Sequence, residues 1–132
     1  PTYHVLALTS AASLFSVISY TGGTTDDVSR TGAGFTPDNA WTKRGNSTNI
    51  AAIRFKDNSG DESYEMGAVD VAANKIQAFE ADGFQTGTHA SVSQTSATYY
   101  CACFKDSVTA APYGPPMRAQ MGAYQNVRRF TR

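Results

Sequence analysis

Apolar and polar residues alternate with a period of two through much of this chain, and the alternation is densest between Asp82 and Lys105. After Gly83, the positions Phe84, Thr86 and Thr88 alternate; a polar connection from Ser91 to Ser96 follows, then a run of β-formers from Thr98 to Phe104. That pattern predicts two strands and a turn. Successive strand residues point to opposite sides, so Tyr99, Cys101 and Cys103 share one face and Tyr100, Ala102 and Phe104 share the other. Both faces are apolar, which predicts a central strand covered on two sides.

Other segments read as partners of this unit. Thr2 to Leu8 and Ser13 to Tyr20 are predicted strands joined through Thr9 to Ala12, with Leu14, Ser16, Ile18 and Tyr20 on one face of the second. Thr21 to Asp27 is a turn by composition, and Gly32 to Pro37 punctuates the chain again. Ala40 to Arg44 is predicted as a strand with Trp41 as a core anchor, so that Trp41→Ala should cost roughly 3–5 kcal/mol. After a turn at Gly45 to Thr48, Asn49 to Phe55 places Ala51, Ile53 and Phe55 on one side and Arg54 on the other. Asp57 to Glu62 is a turn and the most acidic local cluster; Ser63 to Val69 is extended. Met66, Val69, Ala73, Ile76 and Phe79 fit helical spacing, but a strand over Lys75 to Glu80 agrees better with the Asp82-Gly83 edge that follows.

Beyond Lys105 the pattern ends. Pro112-Tyr113-Gly114-Pro115-Pro116 does not continue a sheet interior, because proline removes a donor and fixes φ. The prediction is an all-β fold, an antiparallel β-sandwich of jelly-roll-like type over residues 1–111, with an extended C-terminal arm over residues 112–132. A length of 132 residues suits one such body with a modest core.

Charge sharpens this division. The formal net charge is zero, yet residues 1–111 hold seven Lys and Arg against eleven Asp and Glu, a net of −4. The arm holds no acid and contains Arg118, Arg128, Arg129 and Arg132, interleaved with Tyr113, Tyr124 and Phe130. A basic arm on an acidic body suits attraction between copies in a homo-oligomer.

Candidate chemistry is sparse. Cys101 and Cys103 lie two apart on a strand, at the upper limit of disulfide geometry, and are read as buried free thiols suited to a reducing compartment. His4 and His89 form no metal-ligand spacing with them, and the Asp26-Asp27 pair lacks the alternating ligands of a calcium loop, so neither a metal nor a cofactor is predicted. No nucleophile and base pattern or Gly-rich phosphate loop stands out, and the reading is non-enzymatic, with no catalytic residues. The apolar stretch Val5 to Tyr20 has no basic residue before it and is interrupted by Ser and Thr, which argues against a signal peptide or a membrane span. Pro1 is compatible with removal of an initiator Met.

The segment Gly34-Phe35-Thr36-Pro37-Asp38-Asn39-Ala40-Trp41-Thr42-Lys43, followed by Asp82-Gly83-Phe84-Gln85-Thr86-Gly87 and by Thr98-Tyr99 through Cys103-Phe104-Lys105, resembles a small β-sandwich domain that recurs in structural proteins of tailed bacteriophages. The resemblance spans roughly residues 20–105. It departs at Thr42, where such domains carry an aliphatic residue, and at Ala102, where they carry Trp; both thin the expected core. What it implies is a virion protein assembled in the host cytoplasm, with phage coat or other virion proteins as partners and no catalytic site to transfer. Phe35, Trp41, Phe84, Tyr99, Cys101 and Cys103 are the expected core anchors, and the arm residues named above are the expected partner contacts. A capsid decoration or cement protein is the leading reading. A tail or fibre component is the alternative, as is a carbohydrate-binding module in which exposed aromatics such as Trp41 or Tyr64 face a host glycan. Four positive charges on an acidic protein support no more than weak, salt-sensitive contact with nucleic acid.

Overall fold

The computed structural model describes residue 2 and residues 7–67 and 71–106. The predicted arm, most of the first predicted strand and the end of the Ser63–Val69 segment lie outside these residues. Among the described residues there is no helix. The strands are β1 (Phe15–Thr21), β2 (Val28–Thr31), β3 (Asn39–Arg44), β4 (Ala52–Phe55), β5 (Ser63–Glu65), β6 (Val71–Ala72), β7 (Ile76–Glu80), β8 (Gly83–Thr86) and β9 (Thr98–Phe104). They form two antiparallel sheets, one of six strands in the order β1-β9-β3-β4-β5-β6 and one of three in the order β2-β8-β7.

The densest apolar run, β9, is central. It pairs with β1 from Phe15↔Phe104 to Thr21↔Thr98 and with β3 from Asn39↔Phe104 to Arg44↔Tyr99. Its inner face carries Tyr99, Cys101 and Cys103, all without solvent exposure. Cys101 and Cys103 pack with Ile18, Ala40 and Ala52 of the same sheet against Ile76 and Phe84 of the smaller sheet and Val92 of the following loop, while Tyr99 stacks on Tyr20 with ring centres 5.3 Å apart. The core therefore lies between the sheets, as burial of one face of each requires. The outer face of β9 differs from the sequence expectation: Tyr100 is 54% exposed and Ala102 and Phe104 are half-buried, so the strand is covered on one side.

Polar side chains fasten the layers. Arg30 of β2 donates to Thr86 Oγ1 at 2.9 Å and to the Thr21 carbonyl at 3.2 Å, and lies 4.4 Å from the centre of the Tyr20 ring. Tyr20 Oη donates to the Val92 carbonyl at 2.8 Å and Tyr99 Oη to that of Ala90 at 2.7 Å. Burial, first, and the adjacent Cys101 hold the Tyr20 phenol far above its ordinary titration range. The Asp82 carboxylate accepts from the amides of Gly32 and Gly34, which anchors the β2–β3 loop.

Two strands escaped the sequence reading. β2 has one apolar residue in four and starts directly after Asp27, whose φ of +54° is left-handed. β6 is two residues long. The strand predicted at Lys75 to Glu80 is present from Ile76, and the helical alternative is not adopted. Thr2, Ala7 and Leu8, the described residues of the first predicted strand, are not in a strand.

Candidate functional site

Sheet registry builds a continuous apolar face on the described chain. On the outer face of the six-stranded sheet, Val17, Ala102, Trp41, Ile53, Tyr64 and Val71 stand directly opposite one another across all six strands. A row of pairs at about 4.8 Å per strand spans roughly 24 Å. A second row, Phe15, Phe104, Asn39 and Phe55, runs beside it. Ring centres lie 4.9 Å apart for Phe15 and Phe104 and 5.0 Å apart for Phe104 and Trp41, so the aromatics form a continuous surface. Val17 is 54% exposed and Phe55 42%; Met66 and Val71 are exposed to a similar degree.

Trp41 belongs to this surface and not to the core. The inward positions of β3 are Ala40 and Thr42, both without exposure, so the intervening residue must point outward. Phe35, Phe84, Tyr99, Cys101 and Cys103, the other expected anchors, are buried. Ala102 offers only a methyl between Val17 and Trp41. A groove of about 380 Å³ opens above it, walled by Tyr100, Met66 and Ala51. The small side chain of Ala102 thus thins the outer face and leaves the core alone. Lys43, the cation at this end of the face, gives its ammonium to the Ser47 and Asn49 carbonyls.

A smaller cleft of about 280 Å³ lies between Thr48, Asn49, Ile50, Glu65, His89, Ala90 and Ser91. His89 Nδ1 lies 2.8 Å from Ser91 Oγ and accepts the Ser91 amide at 3.2 Å. Ser91 is only 2% exposed, and the pair ties a turn together. Glu65 meets the buried Lys75 ammonium at 3.3 Å.

Beneath the groove, the thiols of Cys101 and Cys103 are free, buried and 3.8 Å apart. Burial, followed by the contact with Cys103, pushes the Cys101 thiol well up, while the hydrogen bond from Cys101 draws the Cys103 thiol down. Among the described residues no group of three or more His, Cys, Asp or Glu side chains could hold a metal ion. The Asp26 carboxylate accepts from Gln77 Nε2 at 3.0 Å. No helix among them is long and apolar enough to cross a membrane. The seven arm residues expected to contact a partner, Tyr113, Arg118, Tyr124, Arg128, Arg129, Phe130 and Arg132, lie outside the described residues.

Residues 10–114 match DUF7483, a domain of unknown function. The chain belongs to this family. The DUF7483 match takes in all nine strands of the described residues and the outer face they form, and stops before the four arginines of the C-terminal segment. No curated protein matches the chain, and no solved structure does.

The residues that sequence reasoning missed here are Val17, Phe55, Met66 and Tyr100. Their signal was present: a strand with two apolar faces is either covered twice or presents a surface for something else to cover.

Proposed function

We propose that this DUF7483 chain is a non-enzymatic structural protein of a phage virion, a decoration or cement subunit that stabilises the head lattice through contacts between subunits. The observation that supports it best is the broad apolar outer face of the six-stranded sheet, which favours a life in an assembly over one as a free monomer. The resemblance to β-sandwich domains of phage structural proteins supports the same reading. In it, the two sheets are a jelly-roll-like sandwich, residues 112–132 are a C-terminal arm, and the partners are coat subunits and further copies of the chain. Many modest contacts repeated over a shell resist disruption collectively.

The test is mass spectrometry of purified particles from the phage that encodes the chain, with release of DNA on heating followed for particles lacking it. The proposal expects the chain at a fixed ratio to coat protein and earlier release without it. Absence from particles would sink it; a copy number of a few per particle would move the assignment to tail or fibre. A host-glycan module is less well supported, because the groove walls are nearly all apolar and a sugar needs directed hydrogen bonds.

A further inference from the structure

We propose that the outer face of the six-stranded sheet in one copy is the seat for residues 112–132 of a second copy. The inference deepens the assembly reading, on which it rests, by naming what covers the face.

Chemical fit is the first support. The face presents a hydrophobic row and a groove, and its Phe55 and Tyr64 end borders the turn that carries Asp57, Asp61 and Glu62, all three exposed. The C-terminal segment offers the complement: aromatic and methionine side chains for the face, and Arg118, Arg128, Arg129 and Arg132 for the acidic rim, with no acid of its own. Tyr, Met and Arg are the residue types that interfaces favour. The DUF7483 match ends at residue 114, so the arginines are carried beyond the span that defines the domain.

The length of the C-terminal segment is sufficient to reach a second copy. β9 leaves the sheet at its end, and the exit is fixed as far as Asp106. The Lys105 amide donates to the Leu14 carbonyl at 2.8 Å, and the Asp106 amide to Asp38 Oδ2 at 2.8 Å. Eleven residues, 107–117, separate this point from Arg118, and Pro112, Pro115 and Pro116 among them disfavour a tight reversal. At the roughly 3.1 Å per residue of a proline-rich strand they reach about 34 Å, more than the roughly 24 Å width of the face. That length is enough for the segment of one copy to span the face of another.

Sedimentation of the full-length chain over a range of concentrations tests this, with two variants: Tyr100→Glu on the exposed face, and Arg128→Glu, Arg129→Glu and Arg132→Glu combined in the segment. Far-ultraviolet circular dichroism confirms that each variant keeps its sheets. The expected result is concentration-dependent association of the parent chain, weakened about tenfold or more in either variant. A mixture of the two variants should recover a dimer, because the arginine variant offers an intact face and the Tyr100→Glu variant supplies an intact segment. A parent chain that stays monomeric overturns the inference. Association that survives the arginine reversal but not Tyr100→Glu would mean face-to-face pairing and overturn it too, and a mixture that recovers nothing would show that the face and the segment are not partners and overturn it as well. Presence in particles is measured separately, so a monomeric chain found on virions would refute the exchange and leave the virion reading standing.

Discussion

Arg54 shows how one side chain can replace a stretch of secondary structure. The residue is 6% exposed, and its guanidinium donates to four carbonyls, those of Glu62 and Ile76 through one nitrogen and those of Asn58 and Gly60 through the other. Burial pulls its titration down, and the neighbouring Asp61 and Glu62 raise it again, so the cation persists at any ordinary pH. Lysine cannot serve four acceptors in a plane. Arg54→Lys should therefore cost about 2–3 kcal/mol in urea unfolding, and a loss under 0.5 kcal/mol would show that water satisfies those carbonyls instead. Trp41 points the other way. Its place on the outer face lowers the expected cost of Trp41→Ala to about 1–2 kcal/mol, below the figure its residue type suggested, because the core behind it is untouched. Gly83→Ala should be worse than its size implies. A Cβ there meets the Arg30 carbonyl of the neighbouring strand, and about 2–3 kcal/mol of stability should be lost.

At the scale of the element, β9 and its neighbours were legible because period-two alternation over seven residues has few other solutions, and Tyr99, Cys101 and Cys103 are buried as that alternation requires. β2 was not legible. Val28-Ser29-Arg30-Thr31 has no run of β-formers, and pairing with β8 from Val28↔Thr86 to Thr31↔Gly83 holds it as a strand. The outer face was half legible: its apolar residues were visible, but whether a second layer covers them depends on contacts distant in sequence. Ala102 makes that face testable. Ala102→Trp should fill the groove between Val17 and Trp41, leave unfolding stability unchanged or higher by about 1 kcal/mol, and weaken self-association if the groove is a seat. Unchanged association would move the contact elsewhere on the face.

For the whole molecule, buried acids couple folding to pH. The Tyr20 and Cys101 groups keep their protons in the fold well beyond the ordinary values of 10.0 and 9.0, whereas the unfolded chain releases them near those values. Their contribution is complete below the unfolded values and is lost as pH rises through and above them, since the unfolded state then binds fewer protons. Unfolding measured between about pH 8 and pH 11 should show falling stability, and Tyr20→Phe should flatten the decline at a neutral-pH cost of about 1 kcal/mol from the lost bond to Val92. A flat profile in the parent chain would mean these groups are not sealed from water.

The antiparallel pairing of β1 and β9 also has a mechanical consequence. The start of β1 and the end of β9 lie side by side, at Phe15↔Phe104. Tension drawn between these two points peels the strands apart one pair at a time. Tension between the end of β9 and an anchor on the sheet runs along the strand, across ladders whose bonds stand perpendicular to it, and strains the pairs with β1 and β3 together. The same strand is thus weak as a zipper and strong as a tether. A shell whose subunits were joined through the C-terminal end of β9 would swell under internal pressure by loading every such joint in its stronger direction.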